Sequence, residues 1–333
     1  MFYVKNITNN VLNINNSNHK DYLIMEIKYS YQNNGETFIK IKIGSQTYNL
    51  RGYSRAGLRT CILIDELNLV LDMGYSNDRA FSFDNKLISH GHNDHIGGLH
   101  ADHSARKLFN IEKEKLIIMP KQCIKPFKMI ASAVSEMNCG KSGENIKIFD
   151  NLLLTNIIEA ESCTENMINL IGSSKMNSEY WVKSIQMDHK IKSFGYIIYR
   201  KSKKLKPEYT NLKGFEIMKL KQDIGEDQIT YPVFTPLLAY TGDTTIHGVI
   251  TNPELLTVPL LIMECTGFSP EDKSDCCEGK HIHFDEIIKN KDLFQNEKII
   301  LFHFSQQYRT LEDISSFISK VDKELENKLI YFY

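Results

Sequence analysis

Residues 89–95 read Ser-His-Gly-His-Asn-Asp-His, three histidines and an aspartate within six positions. An apolar run leads into them, so the segment is expected at a strand end. Side chains two apart on extended backbone point to the same side, and His90 and His92 can therefore converge on one cation. Asp94 and His95 follow directly and can face a second cation close by. Neutral imidazole and carboxylate are the donors that borderline divalent metals such as zinc prefer. Gly91, Gly97 and Gly98 allow the tight loop that such crowding needs. The bland alternative is a solvated loop, but histidine makes up 11 of 333 residues, so this clustering is improbable by chance.

Two metals need more donors than one loop holds. His189 sits in MDHKIKSFGYII between strand-like runs, Asp243 in AYTGDTT where a strand meets a glycine turn, and His303 in ILFHFSQQY at the end of an apolar strand. A carboxylate such as Asp243 can bridge two ions. Singly, each has an ordinary structural explanation, because most such residues at strand ends bind nothing. In this order, after the 89–95 loop, they become candidate ligands.

Strands must carry these residues. Tyr22 to Tyr31 and Thr37 to Leu50 are Ile- and Tyr-rich runs around Asn-Asn-Gly. CILIDELNLVLDMG has the pattern of a hairpin, and Phe81 to Ser89 is expected to run as one strand into the histidine loop. Leu116 to Met119, Ile146 to Leu154, Trp181 to Met187, Phe194 to Tyr199, Leu237 to Tyr240 and Leu260 to Met263 are further strand candidates. Lys125 to Met137 predicts a helix with Pro126 in its first turn. One C-terminal amphipathic helix is predicted over TLEDISSFISKVDKELEN, with Leu311, Ile314, Phe317, Ile318, Val321 and Leu325 on one face and Thr310 as N-cap. Alternating strands and helices without a Gly/Ser-rich linker point to one layered α/β domain. Residues 1 to about 20 are Asn-rich and are expected to form a loose tail.

Hydrophobic residues at 42% permit a sizeable core. Forty basic residues against forty-one acidic ones give no whole-chain support for nucleic-acid binding, so any such support must be local. Runs of roughly 18 apolar residues are absent, which argues against a membrane-spanning helix. The N-terminus has no signal-peptide pattern. Seven scattered cysteines without CxxC spacing argue against a disulfide framework or a thiolate zinc site. They fit a reducing compartment, cytoplasmic or nuclear.

The series LDMG, SHGHNDHIGG, DHKIKSFGY, TGDTT, GKHIHFDEI and LFHFSQQY resembles ribonuclease Z, the tRNA 3′-processing endonuclease, and is most similar to its short plant form. The HxHxDH element alone indicates the metallo-β-lactamase superfamily; DHxxxSxGY and the HxH…HFS pair narrow it to the RNA-processing branch. The likeness runs from about Tyr48 to the C-terminus. It implies an N-terminal extension over residues 1–47, a hydrolase domain over 48–333, and an αββα sandwich of four layers. It further implies two zinc ions: His90, His92 and His189 on one, Asp94, His95 and His303 on the other, Asp243 bridging. Asp72 matches an aspartate that braces the ligand loop. His281 matches the catalytic histidine, with His283 as rival in the same HIH.

Such a pair of ions, roughly 3.5–4 Å apart, can acidify a water and neutralise a phosphate. Asp94 could orient or deprotonate that water, and His281 could protonate the departing 3′ oxygen. Glu264 is a candidate partner for the His281 ring, or else a buried structural carboxylate. The resemblance also implies precursor tRNA as substrate and a homodimer. Residues 199–230 fall where many bacterial members carry a tRNA-gripping arm, and Arg200, Lys201, Lys203, Lys204 and Lys206 make a candidate RNA contact. Against the family pattern, Gln307 replaces an arginine in the HFS-x-R-Y segment, and Arg309 is a possible substitute. His19, His100, His103 and His247 are read as ordinary structural residues. Two competitors share the motif: the same fold hydrolysing another substrate (phosphodiester, thioester or lactone), and a non-catalytic RNA-binding relative.

Overall fold

The apolar runs pair largely in chain order. The computed structural model of the chain describes residues 24–31, 36–109, 111, 113–139, 155–172 and 179–333. The Asn-rich segment expected as a tail, with His19, and the strand expected at Ile146 to Leu154 lie outside these. The first sheet runs β1 (Ile24–Tyr31), β2 (Thr37–Ile43), β3 (Gln46–Arg55), β4 (Arg59–Ile64), β5 (Leu69–Leu71), β6 (Asn85–Leu87), β7 (Lys115–Met119), β8 (Thr155–Glu159). It is antiparallel up to β5 and parallel from there to β8. The second comprises β9 (Ile168–Asn169), β10 (Glu179–Met187), β11 (Ser193–Leu205), β12 (Thr230–Tyr240), β13 (Leu260–Glu264), β14 (Lys298–Phe302) and β15 (Leu329–Tyr331). It is antiparallel to β12 and parallel from β12 to β15.

The helices among the described residues are α1 (Asn93–Ile96), α2 (Leu99–Leu108), α3 (Lys121–Cys139), α4 (Gly214–Ile224), α5 (Glu226–Ile229), α6 (Ile246–Ile250), α7 (Pro253–Thr257), α8 (Asp272–Gly279), α9 (Phe284–Lys289), α10 (Leu311–Ile318) and α11 (Lys323–Lys328). Strand periodicity divides the apolar side chains among separate cores. Ile62, Leu71 and Leu87 of the first sheet meet Tyr196, Leu238, Ile262 and Phe302 of the second. On the outer face of the second sheet, Leu261, Met263 and Leu301 pack on Val249, Leu255, Ile287 and Ile314 from helices. On the outer face of the first, Leu63, Val70 and Ile117 pack on Leu99, Cys123 and Phe127. Three cores separate four layers, the αββα order expected. Strands β13 and β14 are buried on both faces, which is why they read as continuous apolar runs.

Several boundaries differ from the sequence reading. Phe81 to Ser89 is not one strand: a 3-10 turn covers Ala80–Ser82, the Asn68 side chain accepts from the Asp84 amide, and only Asn85–Leu87 pairs as β6. Thr37 to Leu50 is a hairpin, broken at Gly44 where φ is +60°. Pro126 lies inside α3 rather than in its first turn, because the helix begins at Lys121. The single C-terminal helix is two. Thr310 caps α10, but a second cap, Asp322, accepts from the Leu325 amide and starts α11 afresh. A division at residue 47/48 falls within β3, and β2 continues the same sheet.

Residues 199–230 form the outer part of the β11–β12 hairpin and its connection, with Tyr199, Arg200 and Lys201 still paired to β10. Strands β11 and β12 stay paired out to Leu205 and Thr230, well past the end of the β10–β11 ladder at Lys201, and α4 and α5 close the tip.

Candidate metal centre and active site

The C-terminal ends of β5, β6, β12, β13 and β14 open at one edge of the sandwich, each followed by a loop that carries part of the site. Three of these turns use left-handed backbone, at Asp72 (φ +55°), His303 (φ +67°) and Gly242, the first two without a glycine. Non-glycine residues held there mark a position that surrounding structure dictates. Gly242 (φ +60°) is required for space as well, since a Cβ would lie 2.4 Å from the Ser89 Cβ.

Asp72 is fully buried and organises the loop after β6. Its Oδ1 accepts from the Ser89 amide at 2.6 Å, and its Oδ2 accepts from the Ser89 hydroxyl, the Tyr240 hydroxyl and His95 Nδ1 at 2.7, 2.5 and 2.7 Å. Because Ser89 Oγ donates to Asp72, it must accept from His90 Nδ1, 2.9 Å away. By the same logic Thr266 Oγ1 donates to Glu264 Oε2 and accepts from His303 Nδ1 at 3.1 Å. His189 Nδ1 donates to the Lys280 carbonyl at 3.1 Å. Four rings thus spend the Nδ1 proton outward and turn a bare Nε2 lone pair inward.

The inward atoms form two sets. His90 Nε2 lies 3.0 Å from His92 Nδ1, which is 3.3 Å from His189 Nε2. Beside them, His95 Nε2 is 3.2 Å from His303 Nε2, and Asp94 Oδ2 is 3.5 and 3.4 Å from those two nitrogens. Asp243 Oδ2 is common to both, at 3.7 Å from His90, 3.2 Å from His95 and 3.4 Å from His303. Lone pairs crowded at such distances repel unless a cation lies among them. Asp243 Oδ1 is buried without a hydrogen-bond partner among the described residues, which a carboxylate tolerates only beside positive charge. The donor set therefore fits divalent ions of the kind imidazole and carboxylate take.

The electrostatics point the same way. Burial pushes His90, His92 and His189 below their usual values, toward the neutral form a metal needs. Burial also opposes charge on Asp94 and Asp243, yet the surrounding imidazoles outweigh it and hold both carboxyls well below the usual range. His95 is the exception: held between Asp243 and Asp72 it is raised despite burial, so that a metal would have to displace a proton from its Nε2.

His281 faces this cluster, its ring 5.2 Å from those of His189 and His303. Glu264 Oε1 accepts from its Nδ1 at 2.9 Å; burial disfavours the charged ring, but Glu264 outweighs it and lifts the pKa to about 9. His283 turns away. It donates from Nε2 to the Ser269 carbonyl and accepts the Asp285 amide, capping α9. His281 also falls within a third grouping with Asp243 and His303 that could itself hold an ion.

Ser89, Thr266, Tyr240 and Lys280 were not singled out from sequence. Ser89 and Lys280 stand beside candidate histidines and Tyr240 lies in the AYTGDTT run, but the contacts that matter, to Asp72 and His189, cross long stretches of chain. Gln307 donates to Asp272 Oδ1 at 2.5 Å, and Arg309 is exposed. In the β11–β12 hairpin, Lys201 pairs with Glu179 and lies over Trp181, and Lys203 pairs with Glu226 and Asp227. Lys204 is exposed, and Lys206 half-exposed. No helix among the described residues is long and apolar enough to cross a membrane.

No family model matches the chain. It is 33% identical over 285 residues to tRNase Z TRZ1 of Arabidopsis thaliana, covering 85% of this chain and 94% of that one. The chloroplastic tRNase Z TRZ2 of the same plant is 28% identical over 290 residues, covering 86% and 75%. Among solved structures, the metallo-β-lactamase fold protein YhfI from Bacillus subtilis superposes with a TM-score of 0.53 at 11% identity, covering 84% of this chain and 93% of that one. A long-form RNase Z from yeast gives 0.50 at 17% identity, over 91% and 39%. These two neighbours speak for the fold, and the Arabidopsis relative for the family. The chain belongs to the tRNase Z (ribonuclease Z) family and has the metallo-β-lactamase fold.

Proposed function

We propose that the chain is a metal-dependent endoribonuclease that removes the 3′ trailer from precursor tRNA. The observation that carries this reading is Asp243 Oδ2, common to two adjoining donor sets, in a chain whose relatives are named tRNase Z. We assign one ion to His90, His92 and His189, a second to Asp94, His95 and His303, and the bridge to Asp243, with zinc in both. Bound there, the ions supply Lewis acidity, drawing charge from the phosphoryl oxygens and making a water more acidic. Asp94 orients the attacking water and takes its proton. As the new P–O bond forms, the P–O3′ bond breaks and His281 delivers a proton to the departing 3′ oxygen. Glu264 fixes the His281 tautomer so that Nε2 carries out that transfer.

Labelled precursor tRNA incubated with the purified chain is expected to yield a single cut near the acceptor 3′ end, lost with chelator and restored by zinc. Cleavage of small esters alone, with the tRNA left whole, would favour the other-substrate reading. In the same assay His281→Gln is expected to lose roughly 10²–10³-fold in rate while keeping its metal content. A fall in bound metal would instead make His281 a ligand.

We assign RNA contact to the β11–β12 hairpin through Arg200, Lys201, Lys203, Lys204 and Lys206, supported by the exposure of Lys203 and Lys204. The partial pairing of Lys201 and Lys203 with carboxylates limits how many phosphates it neutralises. We also infer a homodimer through α3, whose outer face exposes Met129, Ile130 and Met137 at helical spacing. Met129→Glu is expected to shift sedimentation from dimer to monomer; a wild-type chain that sediments as a 38.5 kDa monomer rules the dimer out. Six free cysteines among the described residues suit a cytoplasmic or nuclear setting.

A further inference from the structure

Three loops must keep His189, Asp243 and His281 in register, and one ionic contact joins them. Asp188 immediately precedes His189. Its Oδ1 accepts from Lys280 Nζ at 2.7 Å, and its Oδ2 accepts from the Thr245 hydroxyl at 2.7 Å. Its carbonyl accepts from the Thr245 amide at 2.9 Å. Thr245 stands two residues after Asp243 and caps α6 by accepting from the Gly248 amide. That helix start sits so close to Asp188 that a Cβ on Gly248 would lie 2.9 Å from the Asp188 nitrogen. Lys280, in turn, precedes His281. It closes α8 in left-handed backbone (φ +56°), a conformation lysine adopts reluctantly. Its carbonyl receives the His189 Nδ1 proton at 3.1 Å.

The contact is therefore reciprocal. The Asp188 side chain holds the Lys280 side chain, while the Lys280 backbone fixes the tautomer of His189. The next residue, His281, leaves this knot toward Glu264. A one-residue lever on either side of the ion pair ends on a ring of the site. We propose that Asp188 and Lys280 are positioning residues that clamp the loops of His189, Asp243 and His281 together, setting the orientation of the His189 and His281 rings. This rests on the endonuclease reading for its kinetic consequence, though not for its geometry.

The consequence is specific. Misplacing reacting groups lowers turnover without weakening contacts made by the rest of an extended substrate. Lys280→Met and Asp188→Asn are each expected to reduce kcat on precursor tRNA roughly tenfold, KM staying within about twofold. Lys280→Arg keeps the charge and is expected to restore most of kcat. The double variant Asp188→Asn/Lys280→Met is expected to be no worse than the poorer single one, since both remove the same contact.

Imidazole nitrogen NMR provides a second readout that needs no substrate. In the metal-free protein the His189 and His281 signals are expected to shift in Lys280→Met and to return in Lys280→Arg, while those of His90 stay put. Melting temperatures within a few degrees of wild type show that the fold survives; Lys280→Arg serves as the folded control if Lys280→Met proves unstable. Wild-type kcat in Lys280→Met, additive losses in the double variant, or unmoved imidazole signals would overturn the clamp. If wild type fails to cut precursor tRNA while the NMR shifts occur, the clamp stands and the substrate assignment falls.

Discussion

Replacing Asp94 with alanine is expected to cut the rate on precursor tRNA by on the order of 10³-fold or more, with the fold retained. The carboxylate has two kinds of contact. Its Oδ2 accepts from the Gly57 amide at 2.8 Å, and it faces His95 and His303 at 3.5 and 3.4 Å. Loss of the amide contact costs about 1 kcal/mol, a typical net value for one hydrogen bond. That is small beside the whole stability of a domain. Loss of the other contacts removes a donor from one ion and the group assigned to take the proton of the attacking water. His92→Ala is expected to behave alike, since His92 Nδ1 is the atom shared by two of the first set's close contacts. Activity and melting temperature measured on the same preparations check this. Full activity in either variant, or a loss that merely follows unfolding, contradicts the assignment.

The largest effect on stability is expected at Asp102, away from the chemistry but next to the elements that carry it. Asp102 lies on α2 and is buried, with Lys86 Nζ of β6 at 3.2 Å and Lys115 of β7 bonded to its other oxygen. One carboxylate thus ties α2, directly behind the histidine loop, to two neighbouring strands. Asp102→Ala leaves two ammonium groups in the core without that counter-charge. Breaking a buried pair in this way costs about 3–5 kcal/mol, several times the Asp94 figure. Calorimetry or denaturant unfolding reads it directly; a change below 1 kcal/mol would contradict it.

The same group gives a pH dependence. Burial would raise the Asp102 carboxyl, but the Lys115 and Lys86 charges outweigh burial and hold it below its usual value. A carboxyl lowered by folding stabilises fully above its unfolded value, near 3.9. That contribution fades as pH falls through the folded value. Acid unfolding is therefore expected to be steeper in wild type than in Asp102→Asn.

How much of this could be read from the chain varied with the range of the contact. The 89–95 loop was legible because its donors are adjacent and their residue types unusual. His189, Asp243 and His303 were legible as strand-end residues, and the family resemblance gave them partners. Strand boundaries were less so. Phe81 to Ser89 is apolar enough for a long strand, but Asn68 captures the Asp84 amide and leaves Asn85–Leu87 to pair. The C-terminal helix kept its amphipathic face across the break, since Val321 and Leu325 are buried on both readings. What divided it was Asp322, a cap residue inside the pattern. The Asp188–Lys280 pair lies 92 residues apart in sequence, and neither residue type is unusual where it stands. Only the fold brings them together.

Seven side chains are proposed to hold a pair of divalent ions, and the metal stoichiometry of the purified chain is the plainest check on that pair. The stripped protein, titrated with zinc and followed by calorimetry and elemental analysis, is predicted to take up two equivalents per chain, falling to one or fewer in Asp243→Ala. Uptake of no zinc by the wild-type chain, or two equivalents still bound by Asp243→Ala, would contradict the bridged pair.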